Sequence, residues 1–202
     1  MIAKTFDELF RFYHDYVKKL YATSQVEDTQ SIETLLEIHS AFDHCSRHWT
    51  ASEPEAECAA RAFGHLKRSC LDTFKLQVKR GVQQYHELRQ CPVHLVDNGD
   101  FLRQLDQLFY AVRTASAEAR TQEGVLKSTG NPSAVFSQWE AVAMQCQRIN
   151  DEFYMSPKVD WAKRADARQK LRSFAWWLIG SFILGGIVCN IIATVVVKWM
   201  GW

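Results

Sequence analysis

SEPEAECAARAFGHLKRSCLDTFKLQVKRGVQQYHELRQC, residues 52 to 91, places Ala59, Phe63, Leu66, Cys70, Phe74, Val78, Val82 and Tyr85 at steps of three and four residues. That period is the signature of an amphipathic α-helix, and it predicts one rod of about 40 residues. Ser52-Glu-Pro-Glu55 offers an N-cap, an early proline and a capping-box glutamate, Gly81 is a candidate bend, and Cys91-Pro92 stops the run.

The same spacing recurs on either side. Upstream, Phe6, Leu9, Phe10, Tyr13, Val17 and Leu20 make one stripe, and Leu35, Ile38, Phe42, Cys45 and Trp49 make another. Downstream, an Asp97-Asn98-Gly99-Asp100 turn precedes Phe101, Leu102, Leu105, Leu108, Phe109 and Val112. After Gly130-Asn131-Pro132, the residues Val135, Trp139, Val142, Cys146, Ile149 and Phe153 alternate steps of four and three, and Ser156-Pro157 starts a further helix. No stretch alternates as a strand does. The expected class is all-α, with residues 1-157 forming a cytoplasmic helical bundle of about five helices.

Phe174 to Val197, FAWWLIGSFILGGIVCNIIATVVV, carries no charge and is long enough as a helix to cross about 30 Å of hydrocarbon. Trp176 and Trp177 at one border and Trp199 and Trp202 at the other suit the two interfaces. The expectation is one C-terminal transmembrane helix at 174-197, reached through a basic juxtamembrane connector at 158-173 and followed by a short distal tail at 198-202. Lys158, Lys163, Arg164, Arg168, Lys170 and Arg172 precede the run and only Lys198 follows it. By the positive-inside rule the protein is expected to be single-pass in the inner (plasma) membrane, with its N-terminal domain cytoplasmic. MIAKTFDELFRFYHDY shows no long apolar run and no small-residue cleavage site, so no secretory signal peptide is expected.

Charge is unevenly spread over the 202 residues. Residues 1-157 hold 17 Lys+Arg against 21 Asp+Glu, whereas 158-172 holds six against two, so a net of −4 faces a net of +4. A broadly basic nucleic-acid-binding domain is thereby excluded. Six cysteines without a CxxC pair fit a reducing compartment, most of them as small core residues.

Within the uncharged run, Ser181, Gly185 and Cys189 repeat every four residues, and with Gly186 they are candidate self-association contacts. Asn190 and Thr194 fall on a second face as candidate pore-lining or interhelical polar residues, because an amide in hydrocarbon needs a partner or water. On the long central helix Arg61, His65, Arg68, Lys75 and Lys79 share a face that would suit an anionic ligand. His44 and His48, with Glu55 and Cys58 across a hairpin, are the best approach to a metal cluster, yet their spacing is too common to assign one. No metal and no cofactor is expected. Two stretches, Arg80 to His86 and Arg89 to His94, fit a loose Arg-then-His pattern, but about one such match arises by chance. GxSxG, P-loop, GxGxxG and HExxH motifs are missing from the sequence. No catalytic residue is assigned, and the protein is read as not an enzyme.

LEIHSAFDHCSRHW and ECAARAFGHLKRSCLDTFK, spanning 35 to 75, resemble the paired helices of HEPN-like domains in membrane-anchored prokaryotic antiphage defence effectors. The resemblance implies an effector held inactive until a signal releases it. Joined to the small-residue pattern, it gives the expectation of a homo-oligomeric membrane effector, with a pore or channel gated by the helical domain as its mode of action. Its expected partners are membrane lipid, copies of itself, and an anionic nucleotide, a nucleic-acid signal or a partner protein. The alternatives are a non-catalytic membrane-tethered adaptor and a membrane-bound HEPN-type ribonuclease, the latter resting on the Arg-His pairs.

Overall fold

The computed structural model describes residues 3-26, 31-129 and 135-199, with the side chains at 26, 126-129, 186-194 and 196-198 outside that description. The described residues are all-α. Helix α1 (Phe6–Phe12) passes through a π-helical turn (Tyr13–Val17) into α2 (Lys18–Val26). Next come α3 (Ile32–Thr50), α4 (Glu55–Gln90), a 3-10 segment (Val93–Gly99) and α5 (Asp100–Thr129). Helix α6 (Phe136–Arg148) runs through a second π turn (Ile149–Tyr154), and α7 (Pro157–Trp199) follows.

The long stripe forms one uninterrupted 36-residue helix that occupies the centre of the bundle. Ala59, Phe63, Leu66, Cys70, Phe74 and Val78 are buried as their spacing requires, and Cys58, Ala62, Ser69, Thr73, Gly81, Gln84 and Leu88 are buried as well. With more than one face covered, α4 takes α3 along one side and α6 along the other. Gly81 does not interrupt the helix; it lies where a Cβ would come within 2.8 Å of Cys146 Cβ, so its role is close approach to α6.

The start of α4 departs from the capping-box reading. Ser52 takes a left-handed φ of 57°, Pro54 is the N-cap residue and no side chain caps the first turn. The Ala51 and Glu53 N–H groups both reach Arg47 O, which closes a tight α3–α4 hairpin and carries Ser52 away from the helix end. Glu55 Oε1 accepts from Phe6 N–H at 2.8 Å and so serves α1 rather than its own helix. The turn read at 97–100 is observed: Asp97, Asn98 and Gly99 have φ of 50°, 53° and 90°. Asp and Asn tolerate that region better than other side chains, and Gly enters it without strain.

Each residue of the Val135–Phe153 stripe is buried. The α3 stripe is less simple. Leu35, Phe42 and Trp49 are exposed by 43%, 42% and 66%, and the buried positions are Thr34, Ala41 and Cys45. Small residues on α3 face Cys58, Ala59 and Ala62 of α4, so the two backbones close tightly. The larger rings sit at the flank, where Phe6 stacks on Trp49 (5.1 Å) and Tyr13 meets Phe42 edge-on (5.6 Å).

The expected transmembrane helix at 174-197 is corrected: among the described residues no helix is long and apolar enough to cross a membrane. Helix α7 spans 43 residues, and its described side chains are free of charge from Ser173 to Gly185. Extending the window toward the N-terminus brings in Arg172, Lys170 and Arg168. The side chains of Gly186, Cys189, Asn190 and Thr194, named above as contact and polar positions, lie outside the described residues.

Candidate functional site

Two places concentrate polar or unpartnered groups: the α3–α4 seam and the projecting part of α7.

At the seam, α3 presents Glu37 and His44, while α4 presents His65 and Arg68 one helical turn apart. The two imidazoles approach Nε2 to Nε2 at 3.1 Å. His65 Nδ1 lies 2.7 Å from Glu37 Oε2, and Arg68 Nε donates to the same oxygen at 3.0 Å. Arg68 Nη2 also crowds His65 Nδ1 at 2.7 Å. His65 Nδ1 thus lies between a carboxylate that accepts and a guanidinium that donates, one imidazole Nε2–H donates to the other ring across the seam, and the nitrogen at the far end is His44 Nδ1. That last nitrogen is buried and has no hydrogen-bond partner. Glu37, His65 and His44 thus form a polar relay across the helix seam.

Burial holds the His44 pKa below its ordinary 6.5, and His65, Arg47 and Arg61 add to the depression against Asp43. A histidine that binds its proton less readily folded than unfolded leaves stability intact above about pH 6.5 and withdraws it as pH falls through that value. Melting temperature is therefore expected to drop as the buffer goes from about pH 7.5 to about pH 5, with a smaller drop in His44→Gln. Equal pH profiles for the two proteins would remove His44 from the account.

Four of the five groups on the candidate anionic-ligand face are engaged with carboxylates. Arg61 reaches Glu53 (2.8 Å) and Glu57 (3.2 Å), His65 and Arg68 share Glu37, and Lys75 Nζ sits 2.8 Å from Glu123 Oε1. Lys79 is exposed. Arg61 is thus tied locally, while acids on α3 and α5 turn His65, Arg68 and Lys75 into interhelical ties that the helix's own sequence did not reveal.

The metal candidates separate. His48 Nδ1 donates to Glu53 O at 2.8 Å, Glu55 caps α1, and Cys58 Sγ lies 3.9 Å from Glu53 Oε2. Among the described residues no group of three His, Cys, Asp or Glu is placed to hold a metal ion. Arg80 and His86 point about 120° apart around α4, so the Arg-His match does not converge. Arg89 instead reaches Asp106 at 3.4 Å. Cys45, Cys58, Cys70 and Cys146 are buried free thiols. Burial pushes Cys70 and Cys146 up to about 12, far from the thiolate form a nucleophile needs.

Among the described residues, helix α7 is anchored at its start. Val159 and Ala162 are buried, and Lys158 Nζ pairs with Asp97 Oδ2 at 2.6 Å in the 3-10 segment. From residue 167 to 185 every position is exposed except the half-buried Gly180. Trp176, Trp177 and Phe182 are 72%, 65% and 85% exposed, with Leu178, Ile179, Ile183 and Leu184 beside them. Ser181 and Gly185 lie exposed on this segment, and a Cβ added at Gly185 would meet nothing within 4 Å. Just before it, Trp161, Arg164, Ala165, Arg168, Gln169 and Arg172 line an open groove of about 550 Å³. The apolar content was plain in the sequence, whereas the clustering of three arginines on one side of the helix was passed over, although their four-residue spacing announced it.

No protein-family model, curated protein or solved structure matches the chain.

Proposed function

We propose that the protein is a non-catalytic helical effector that associates with a lipid surface and with copies of itself through the exposed apolar part of α7. One observation carries this reading: eight large apolar side chains between Phe174 and Leu184, broken only by Ala175, Gly180 and Ser181, stand in solvent on a helix that has left its bundle. Contiguous apolar surface of that kind marks an interaction site, since a monomeric soluble domain rarely leaves so much uncovered. Aromatic residues within the segment and basic residues before it match the two chemistries of a lipid–water boundary. Ser181 and Gly185 leave room for a second helix to approach. A pore would require a spanning rod and is not part of this reading. The likeness of residues 35 to 75 to HEPN-like defence proteins supports an effector role at the inner face of a bacterial plasma membrane.

Flotation of the purified full chain with phospholipid vesicles tests the proposal. Wild type is expected to rise with the vesicles, and Trp176→Ser/Trp177→Ser/Phe182→Ser to bind roughly a hundredfold or more weakly, because three large side chains lose their burial. Native mass spectrometry from detergent should give oligomers. Wild-type chains that stay at the bottom of the gradient as monomers would overturn the reading.

A further inference from the structure

Three arginines, Arg164, Arg168 and Arg172, follow one another at four-residue intervals along α7 and line a single groove with Trp161 and Gln169. Like charges at that spacing repel across each helical turn, so the ladder works against its own helix until a counter-charge arrives. The nearby acids do not supply one. Asp166 is held by Lys170 at 2.7 Å, and Arg164 Nε donates to the backbone oxygen of Asp160 at 3.2 Å. Among the described residues Arg168 and Arg172 make no ion pair, in contrast to Arg61, Arg68 and Arg89 on α4, each of which meets a carboxylate. Those three arginines of the bundle are tied to carboxylates, whereas Arg168 and Arg172 stand exposed on the projecting helix.

Their position along the helix fixes what they meet. At 1.5 Å per residue, Arg172, Arg168 and Arg164 lie about 3, 9 and 15 Å before Phe174, where the exposed apolar series begins. With the apolar part in hydrocarbon, Arg172 lies within the headgroup region, roughly 5 to 8 Å thick on each side, and Arg168 lies at its outer edge, from which its long side chain reaches back to the phosphates. Guanidinium groups pair with phosphate oxygens through parallel N–H bonds, which favours arginine over a diffuse basic charge at such a depth. Trp161 adds an amphipathic ring to the same face.

Resting on the lipid-associated reading of α7, we propose that the Arg164, Arg168 and Arg172 face is a binding site for the phosphate of acidic phospholipid headgroups. It selects the membrane by its anionic lipid, while the apolar series that follows supplies the hold.

Full-length protein is compared on vesicles of phosphatidylcholine alone and of phosphatidylcholine with phosphatidylglycerol. Wild type is expected to bind the acidic vesicles roughly tenfold or more tightly, with the preference weakened by salt. Arg168→Gln/Arg172→Gln should lose that preference and keep the neutral-vesicle affinity. A charge-matched control, Arg103→Gln/Arg148→Gln, removes two exposed arginines of α5 and α6 and should retain it. Equal wild-type binding to both vesicles, or an equal loss in the control, overturns the headgroup site while leaving lipid association standing. Wild type that binds neither vesicle brings down both. Calorimetric binding of glycerol phosphate without vesicles, abolished by Arg168→Gln/Arg172→Gln, would assign the ladder to a soluble phosphate and also reject the lipid headgroup.

Discussion

Trp139→Ala is expected to destabilise the bundle by about 3 to 5 kcal/mol, the range for deleting a fully buried large aromatic ring from a packed core. Trp139 is 2% exposed on α6, with Lys75 Nζ 5.6 Å from its ring centre. Its indole N–H is buried without a hydrogen-bond partner. That orphan donor makes the companion variant informative. Trp139→Phe removes the unsatisfied N–H along with part of the ring, so the relieved desolvation offsets some of the cavity and the loss should be about 1 to 2 kcal/mol. Urea unfolding followed by circular dichroism measures both. Fluorescence gives an independent reading: Trp49, Trp161, Trp176, Trp177 and Trp199 are exposed, so Trp139→Phe should shift the emission of the folded protein to the red. A loss below about 1 kcal/mol for Trp139→Ala would mean that α6 is not packed as described.

Gly81→Val is the second large effect, expected at roughly 2 to 4 kcal/mol. A Cβ at residue 81 would lie 2.8 Å from Cys146 Cβ, 3.0 Å from Sγ and 3.4 Å from Cα, so the obstruction includes the partner helix's backbone and not merely a side chain that could swing away. Forced separation of α4 from α6 propagates to Gln84, whose amide donates to Asn150 Oδ1 at 2.7 Å inside the seam. The coupling is testable by a double-mutant cycle. Gly81→Ala and Cys146→Gly should each destabilise alone, and together should cost less than their sum, because the glycine at 146 vacates the space the new methyl needs. Strict additivity would show that the two helices do not meet at this point. Gly124 gives the opposite expectation. It lies within α5 with nothing inside 4 Å of an added Cβ, so Gly124→Ala should stabilise by about 0.5 to 1 kcal/mol through helix propensity alone.

The two glycines illustrate what spacing can and cannot convey. Both are single glycines inside helical patterns, and nothing local separates the close contact from the open surface. Gly81 read as a bend because the neighbour that requires it, Cys146, is 65 residues away in sequence. The α3 stripe misled for a related reason. Leu35, Phe42 and Trp49 are large apolar residues at helical spacing, but a close helix crossing selects small side chains, and Ala41 and Cys45 took the seam. The cationic row on α4 was legible as a row; its neutralisation by Glu37 and Glu123 was not, since those acids come from other helices. The Glu37–His65–His44 relay was equally hidden, because 28 residues separate its carboxylate from its central imidazole.

By itself the sequence determined the helical class, the long central rod, the Asp97–Gly99 reversal and the wholly buried stripe of α6, because periodicity and left-handed turn residues act over a few neighbouring positions. The apolar run of α7 was legible too, although among the described residues no helix is long and apolar enough to cross a membrane. Tertiary structure alone decided which face of α3 closes on α4, which cations are spent within the bundle and which remain outward on α7. Those outcomes depend on distances between groups far apart along the chain, and only the packed helices bring them within the few ångströms over which sterics, hydrogen bonds and ion pairs operate.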